Sequence, residues 1–112
     1  MPNECINHLT ITSPSEQDIH TILQNELPPH VTINLHGKKG VRVKYSTAWK
    51  PDYPWLSSLL EKYPSCWIKN EWISEDGSAG VWVGDKHGSK FMEWDDLSLE
   101  DEYHHFQPVI II

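Results

Sequence analysis

Cysteine is scarce in this chain of 112 residues: Cys5 and Cys66 are the only two, sixty-one positions apart. That excludes a disulfide-dense scaffold and a CxxC-based zinc site. Two buried thiols in a reducing compartment are the expected state. A single bridge stays open, because both residues fall in strand-like runs. Long apolar runs are also missing. The longest at the C-terminal end is Val109-Ile110-Ile111-Ile112, far short of the roughly 20 residues that a membrane helix needs. Met1 to Ile11 has neither the basic start nor the apolar stretch of a signal peptide. The expectation is a soluble, cytoplasmic protein with no membrane partner.

Positive charge is the scarcer sign. Nine Lys and Arg face sixteen Asp and Glu, for a formal net charge of −7. Glu93, Asp95, Asp96, Glu100, Asp101 and Glu102 place six acids within ten residues and no base among them. Outside this stretch ten acids meet nine bases, so the body carries only −1. A general phosphate-backbone binder needs a basic surface, which this balance does not supply. A partner with a basic surface suits it better, because opposite fields steer encounter.

Motifs that would carry chemistry are missing as well. None of the seven histidines forms the i, i+4 pair of a helical zinc site. Ser46 and Thr47 precede a tryptophan rather than a glycine elbow. Gly37-Lys38-Lys39-Gly40 lacks the spacing of a phosphate loop and the helix that should follow it. No catalytic residue, metal ligand or cofactor is therefore assigned, and a non-enzymatic protein is expected.

What the sequence does contain is a clear order of apolar patterns. Cys5 to Ile11 alternates with the period of a half-buried strand. Ser13-Pro14-Ser15-Glu16 then starts a helix, with Ser13 as the expected cap, Glu16 closing a capping box, and Ile19, Ile22, Leu23 and Leu27 as its apolar stripe. Pro28-Pro29 stops it. Val31, Ile33 and Leu35 alternate, Gly37 to Gly40 turns the chain, and Val41, Val43 and Tyr45 alternate back. Asp52 caps a second helix whose stripe is Trp55, Leu56, Leu59, Leu60 and Tyr63. Cys66 to Ile73 and Ala79 to Gly84 are strands around an Asp76-Gly77 turn, and Lys90 to Trp94 adds a short edge strand. Leu97, Leu99 and Tyr103 suggest a short helix with an acidic outer face.

The order β-α-β-β-α-β, then β again, spells an α+β ferredoxin-like plait. An antiparallel sheet of four to six strands should carry two helices on one face. Residues 1–94 form the domain, and 95–112 form an acidic C-terminal segment packed on it or trailing from it.

Particular residues add a family to this fold. Met1-Pro2-Asn3 followed by Asn7-His8-Leu9-Thr10-Ile11, then Ser46-Thr47-Ala48-Trp49-Lys50-Pro51, Tyr63-Pro64, and Glu71 through Ala79-Gly80, resemble Api92-like proteins with a YubB-type ferredoxin-like domain. Glu4 stands where that family often has Trp, and most of the usual insertion between the first helix and the hairpin is missing. The resemblance implies a ferredoxin-like fold and carriage by phages, plasmids or other mobile elements. It implies no activity and no catalytic residues.

Two surfaces follow as candidates. The acidic one, Glu93, Asp95, Asp96, Glu100, Asp101 and Glu102, would dock a basic host protein, in the manner of an anti-defence protein. The other is the sheet face left open by the helices, with His8, Arg42 and Lys44, suited to single-stranded nucleic acid or to self-association. Trp67 and Trp72 lie five apart in one strand and must face opposite ways. Trp82 is a further candidate beside the open face. Trp49 is expected to anchor its loop to the core, with an exposed contact role as the other reading.

Overall fold

The computed structural model describes residues 3–94. The chain folds as β1 (Glu4–Thr12), α1 (Glu16–Asn25), β2 (Thr32–Gly37), β3 (Gly40–Ala48), α2 (Tyr53–Lys62), β4 (Trp67–Ser74), β5 (Ala79–Asp85) and β6 (Gly88–Trp94). The six strands form one sheet in the order β2-β3-β1-β4-β5-β6, with every neighbouring pair antiparallel. Its first four positions are the ferredoxin-like plait, and the β5–β6 hairpin extends it beyond β4.

Both helices cover the same side. Ile19 and Ile22 of α1 and Leu56 and Leu59 of α2 share one core with Leu9, Ile11, Val41, Val43, Ile68 and Trp82. The apolar stripe of each helix is thus buried against alternate residues of the central strands, which is what each needs to be stable. The helix starts are capped locally. Asp52 accepts from the Trp55 amide at 3.1 Å. In α1 the cap is Ser15, whose hydroxyl accepts from the Asp18 amide at 3.2 Å, rather than Ser13. Ser13 instead accepts from the Ser15 amide, and its hydroxyl meets that of Ser65, which donates to Asp18. This chain of hydroxyls ties the β1–α1 and α2–β4 connections together. The helix ends at Asn25, two residues before the expected Leu27, because a residue preceding proline is disfavoured in the helical region.

Strand β2 departs from expectation. Ile33 and Leu35 do not share a buried face: a register shift between them sets Leu35 opposite Arg42, and they are 50% and 63% exposed. The reason is position, since β2 is the sheet edge and every one of its residues is exposed. Trp49 is likewise exposed, by 54%, with a positive φ of 67°, so it does not anchor its loop in the core. Trp82 is buried on the helix side and does not flank the open face.

The cysteines are free and buried at opposite ends of the β1–β4 pairing, where Cys5 faces Ser74 and Cys66 precedes Trp67. That separation rules out a bridge between them. Among the described residues no helix is long and apolar enough to cross a membrane. The expected helix at Leu97, Leu99 and Tyr103 lies outside the described residues.

Candidate nucleic-acid interface

The uncovered side of the sheet is built from the strand residues that alternate with the core. Register across the strands sets His8 opposite Lys44 and Thr10 opposite Arg42. His8, Arg42 and Lys44 are all exposed, so the three residues expected to share a surface are brought together. Arg42 is steadied by its Nε donating to Thr10 Oγ1 at 3.2 Å.

The same register extends the site beyond those three. Thr10 also faces Lys69, Lys69 faces Val83, and Val83 faces Lys90. One row across five strands therefore reads Arg42, Thr10, Lys69, Val83, Lys90. Its cations recur at every second strand, about 10 Å apart by ordinary strand spacing. The adjacent row reads Lys44, His8, Glu71, Val81, Met92. Glu71 Oε1 lies 3.1 Å from Lys69 Nζ and holds that ammonium over the sheet. Lys69 and Lys90 were not legible as site residues in the sequence. For Lys90 the available signal is the two-residue turn Lys86-His87, which sets Val83 against it; Lys69 is placed only by the pairing of β4 with β1.

The charge balance of the body conceals this segregation. From Thr32 to Ala48 the chain carries Lys38, Lys39, Arg42 and Lys44 and no acid. Apart from Glu71 and Asp85, which share the open face, acids gather elsewhere. At the opposite end of the sheet Glu4 accepts from Ser46, and its amide donates to Glu75. There too Asp76 accepts from the Ser78 hydroxyl and amide, bonds that hold its carboxyl below the usual carboxylate range.

The acidic surface is only partly placed. Glu93 sits on β6 opposite Gly80, on the helix side, half-buried. Its carboxylate accepts from the Tyr53 hydroxyl and from Lys50 Nζ, the latter at 3.2 Å. Burial, and next the bond to Glu93, push the Tyr53 phenol above its ordinary pKa. Glu93 is thus an internal clamp between β6 and the start of α2, not a free docking acid. Asp95, Asp96, Glu100, Asp101 and Glu102 lie outside the described residues.

Neither cysteine is placed as an activated nucleophile. Cys5 and Cys66 are buried, and desolvation raises both thiols above their ordinary pKa, the opposite of what an activated thiolate needs. No group of three or more His, Cys, Asp or Glu able to hold a metal occurs among the described residues.

A family model described as the ferredoxin-like domain in Api92-like protein matches residues 30–108. The chain belongs to that family. The match runs from just before β2 through β6 and onward, so it contains Arg42, Lys44, Lys69 and Lys90, while His8 lies before it. Searches of curated proteins and of solved structures each found no match.

Proposed function

We propose that this Api92-like domain is a non-enzymatic binding module that holds single-stranded nucleic acid on the open face of its sheet. The row Arg42–Lys69–Lys90, with Lys44 and His8 beside it, carries this reading. It lines up cations across a face that no described residue covers. Phosphates draw most of their affinity from such contacts. A flexible single strand can follow a flat sheet that a rigid duplex would only touch. The net charge of −7 does not oppose this, since residues 3–94 hold eleven acids and nine bases, and four of the bases, Arg42, Lys44, Lys69 and Lys90, share the open face with Glu71.

Titration of labelled single-stranded DNA and RNA tests it. Affinity should fall with salt with a logarithmic slope of about −2 to −3, as expected for three or four phosphates on a single strand. The triple change Arg42→Glu, Lys69→Glu, Lys90→Glu should weaken binding at least about tenfold. It should leave the melting midpoint nearly unchanged, because the three side chains lie outside the core. No binding by the unaltered protein at low salt would overturn the reading.

Charge favours a second reading: every charged side chain of residues 95–102 is an acid. In that reading the segment docks a basic host protein, as an anti-defence protein carried by a phage or plasmid would. Failure to bind any oligonucleotide would leave this one standing.

A further inference from the structure

One end of each of the six strands lies at the same border of the sheet, and Trp67 stands there. It follows the face parity of Lys69, faces Thr12 across the β1–β4 pairing, and is 38% exposed. Two hollows share it. The smaller, about 330 Å³, is floored by Val83 and bounded by Asp85, Gly88 and Lys90. The larger, about 650 Å³, is rimmed by Lys39, Lys86 and His87. Gly88 has a φ of 137° and a Cβ there would meet nothing within 4 Å, so the glycine answers the backbone conformation of the turn. Asp85 Oδ1 accepts from the His87 amide at 2.8 Å, which orients the carboxylate at the rim of that hollow.

An aromatic wall, a small apolar floor, one oriented carboxylate and flanking ammonium groups make up the complement of a nucleotide. We infer that the hollow beside Trp67 takes one unpaired nucleobase of the bound strand, stacked on the indole. Its exocyclic amino group donates to Asp85, and its flanking phosphates rest on Lys90 and on Lys39 or Lys86. This deepens the function proposed above and rests on it. Stacking is indifferent to base identity, whereas a carboxylate accepts more readily from an amino group than from the N3–H of unpaired thymine or uracil, which is flanked by two carbonyl oxygens that repel it. The site therefore prefers cytosine, adenine or guanine to thymine or uracil. The cations alone would also attract an acidic peptide, but a peptide would use neither the indole face nor the amino-group preference.

The test compares oligo-dC and oligo-dT of equal length on the full chain, by fluorescence anisotropy at low salt. The unaltered protein should favour oligo-dC. Trp67→Ala should weaken oligo-dC binding about tenfold, within the range for loss of one stacked base. Trp67→Phe should recover most of that loss, with circular dichroism establishing that both variants fold. Asp85→Asn should erase the difference between the two oligonucleotides without weakening oligo-dT. Equal binding of the two by the unaltered protein overturns the inference. So does a Trp67→Ala variant that binds as well as the original, or full displacement by polyglutamate at equal charge. In those cases a continued loss in the Arg42, Lys69, Lys90 variant leaves the open-face reading intact. Absence of all binding removes both.

Discussion

The two faces of this sheet are made from alternate residues of the same strands, yet they follow opposite rules. Along β1, Cys5, Asn7, Leu9 and Ile11 are completely buried, while Glu4, His8 and Thr12 between them are exposed. The covered face is specified atom by atom. The open face is specified only by charge and by which groups stand in a row. A strand thus lets fold and binding be written into one segment with little interference, because the two periodicities never share a side chain. Substitutions on the covered face should change stability and leave oligonucleotide affinity alone, and those on the open face should do the reverse.

Gly80 offers the sharpest test of the covered face. A Cβ there would lie 2.6 Å from the Met92 carbonyl oxygen of β6 and 2.8 Å from the Trp72 ring. The carbonyl is backbone and cannot swing aside, so the β5–β6 pairing itself must move. Gly80→Ala should cost about 3 kcal/mol, at the upper end of overpacking, read as the loss of unfolding free energy in urea. Oligonucleotide affinity measured below the transition should stay as it was. A loss of binding without a loss of stability would break the separation of the two faces.

The next effect comes from an amide ladder inside the core. Asn7 and Asn70 are fully buried. Asn70 Nδ2 donates to Asn7 Oδ1 at 2.9 Å, and Asn7 Nδ2 donates to Thr47 Oγ1 at 2.9 Å. Asn7→Leu would strand the Asn70 amide without its acceptor, at a cost of about 2 kcal/mol. Adding Asn70→Leu should recover part of that loss, because removing both partners is cheaper than orphaning one. A double-mutant cycle should show a coupling of about 1 kcal/mol or more. Strict additivity would mean that the pair does not act as a unit.

Such features mark where sequence reading stops. The strand and helix order, both helices on one side, and the opposed faces of Trp67 and Trp72 were all legible, because period and capping residues are local. The exposure of Ile33 and Leu35 was not, since alternation of Val31, Ile33 and Leu35 signals a buried face only if something lies above it. For Trp49 the sequence favours burial over exposure for a related reason: aromatic character argues burial, but a positive φ in a loop is invisible in composition. The site was half legible. His8, Arg42 and Lys44 followed from strand parity in β1 and β3, whereas Lys69 and Lys90 needed the register of β4 and β6, which pairing sets and no single strand reveals. The purpose of Asn7 was hidden too, because a buried amide reads as polar surface until its partner across the sheet is known.

The smallest effect probes a flaw in the covered face. The Tyr45 ring packs edge-on against Trp55 at 5.9 Å, and its buried hydroxyl has no hydrogen-bond partner among the described residues. Burial, then the charges of Asp52 and Cys5, raise the phenol well above its ordinary pKa of 10. The folded state therefore keeps its proton where the unfolded chain would lose it. Stability from this group is complete below about pH 10 and declines as pH rises past that point. Tyr45→Phe keeps the ring and removes both the orphaned oxygen and the titration. At neutral pH it should be neutral or stabilising by up to about 1 kcal/mol. Above pH 10 its stability should fall less steeply than that of the parent, as followed by urea unfolding at successive pH values. A clear destabilisation at neutral pH would show that the hydroxyl is satisfied after all, and the covered face would then have no polar flaw at this position.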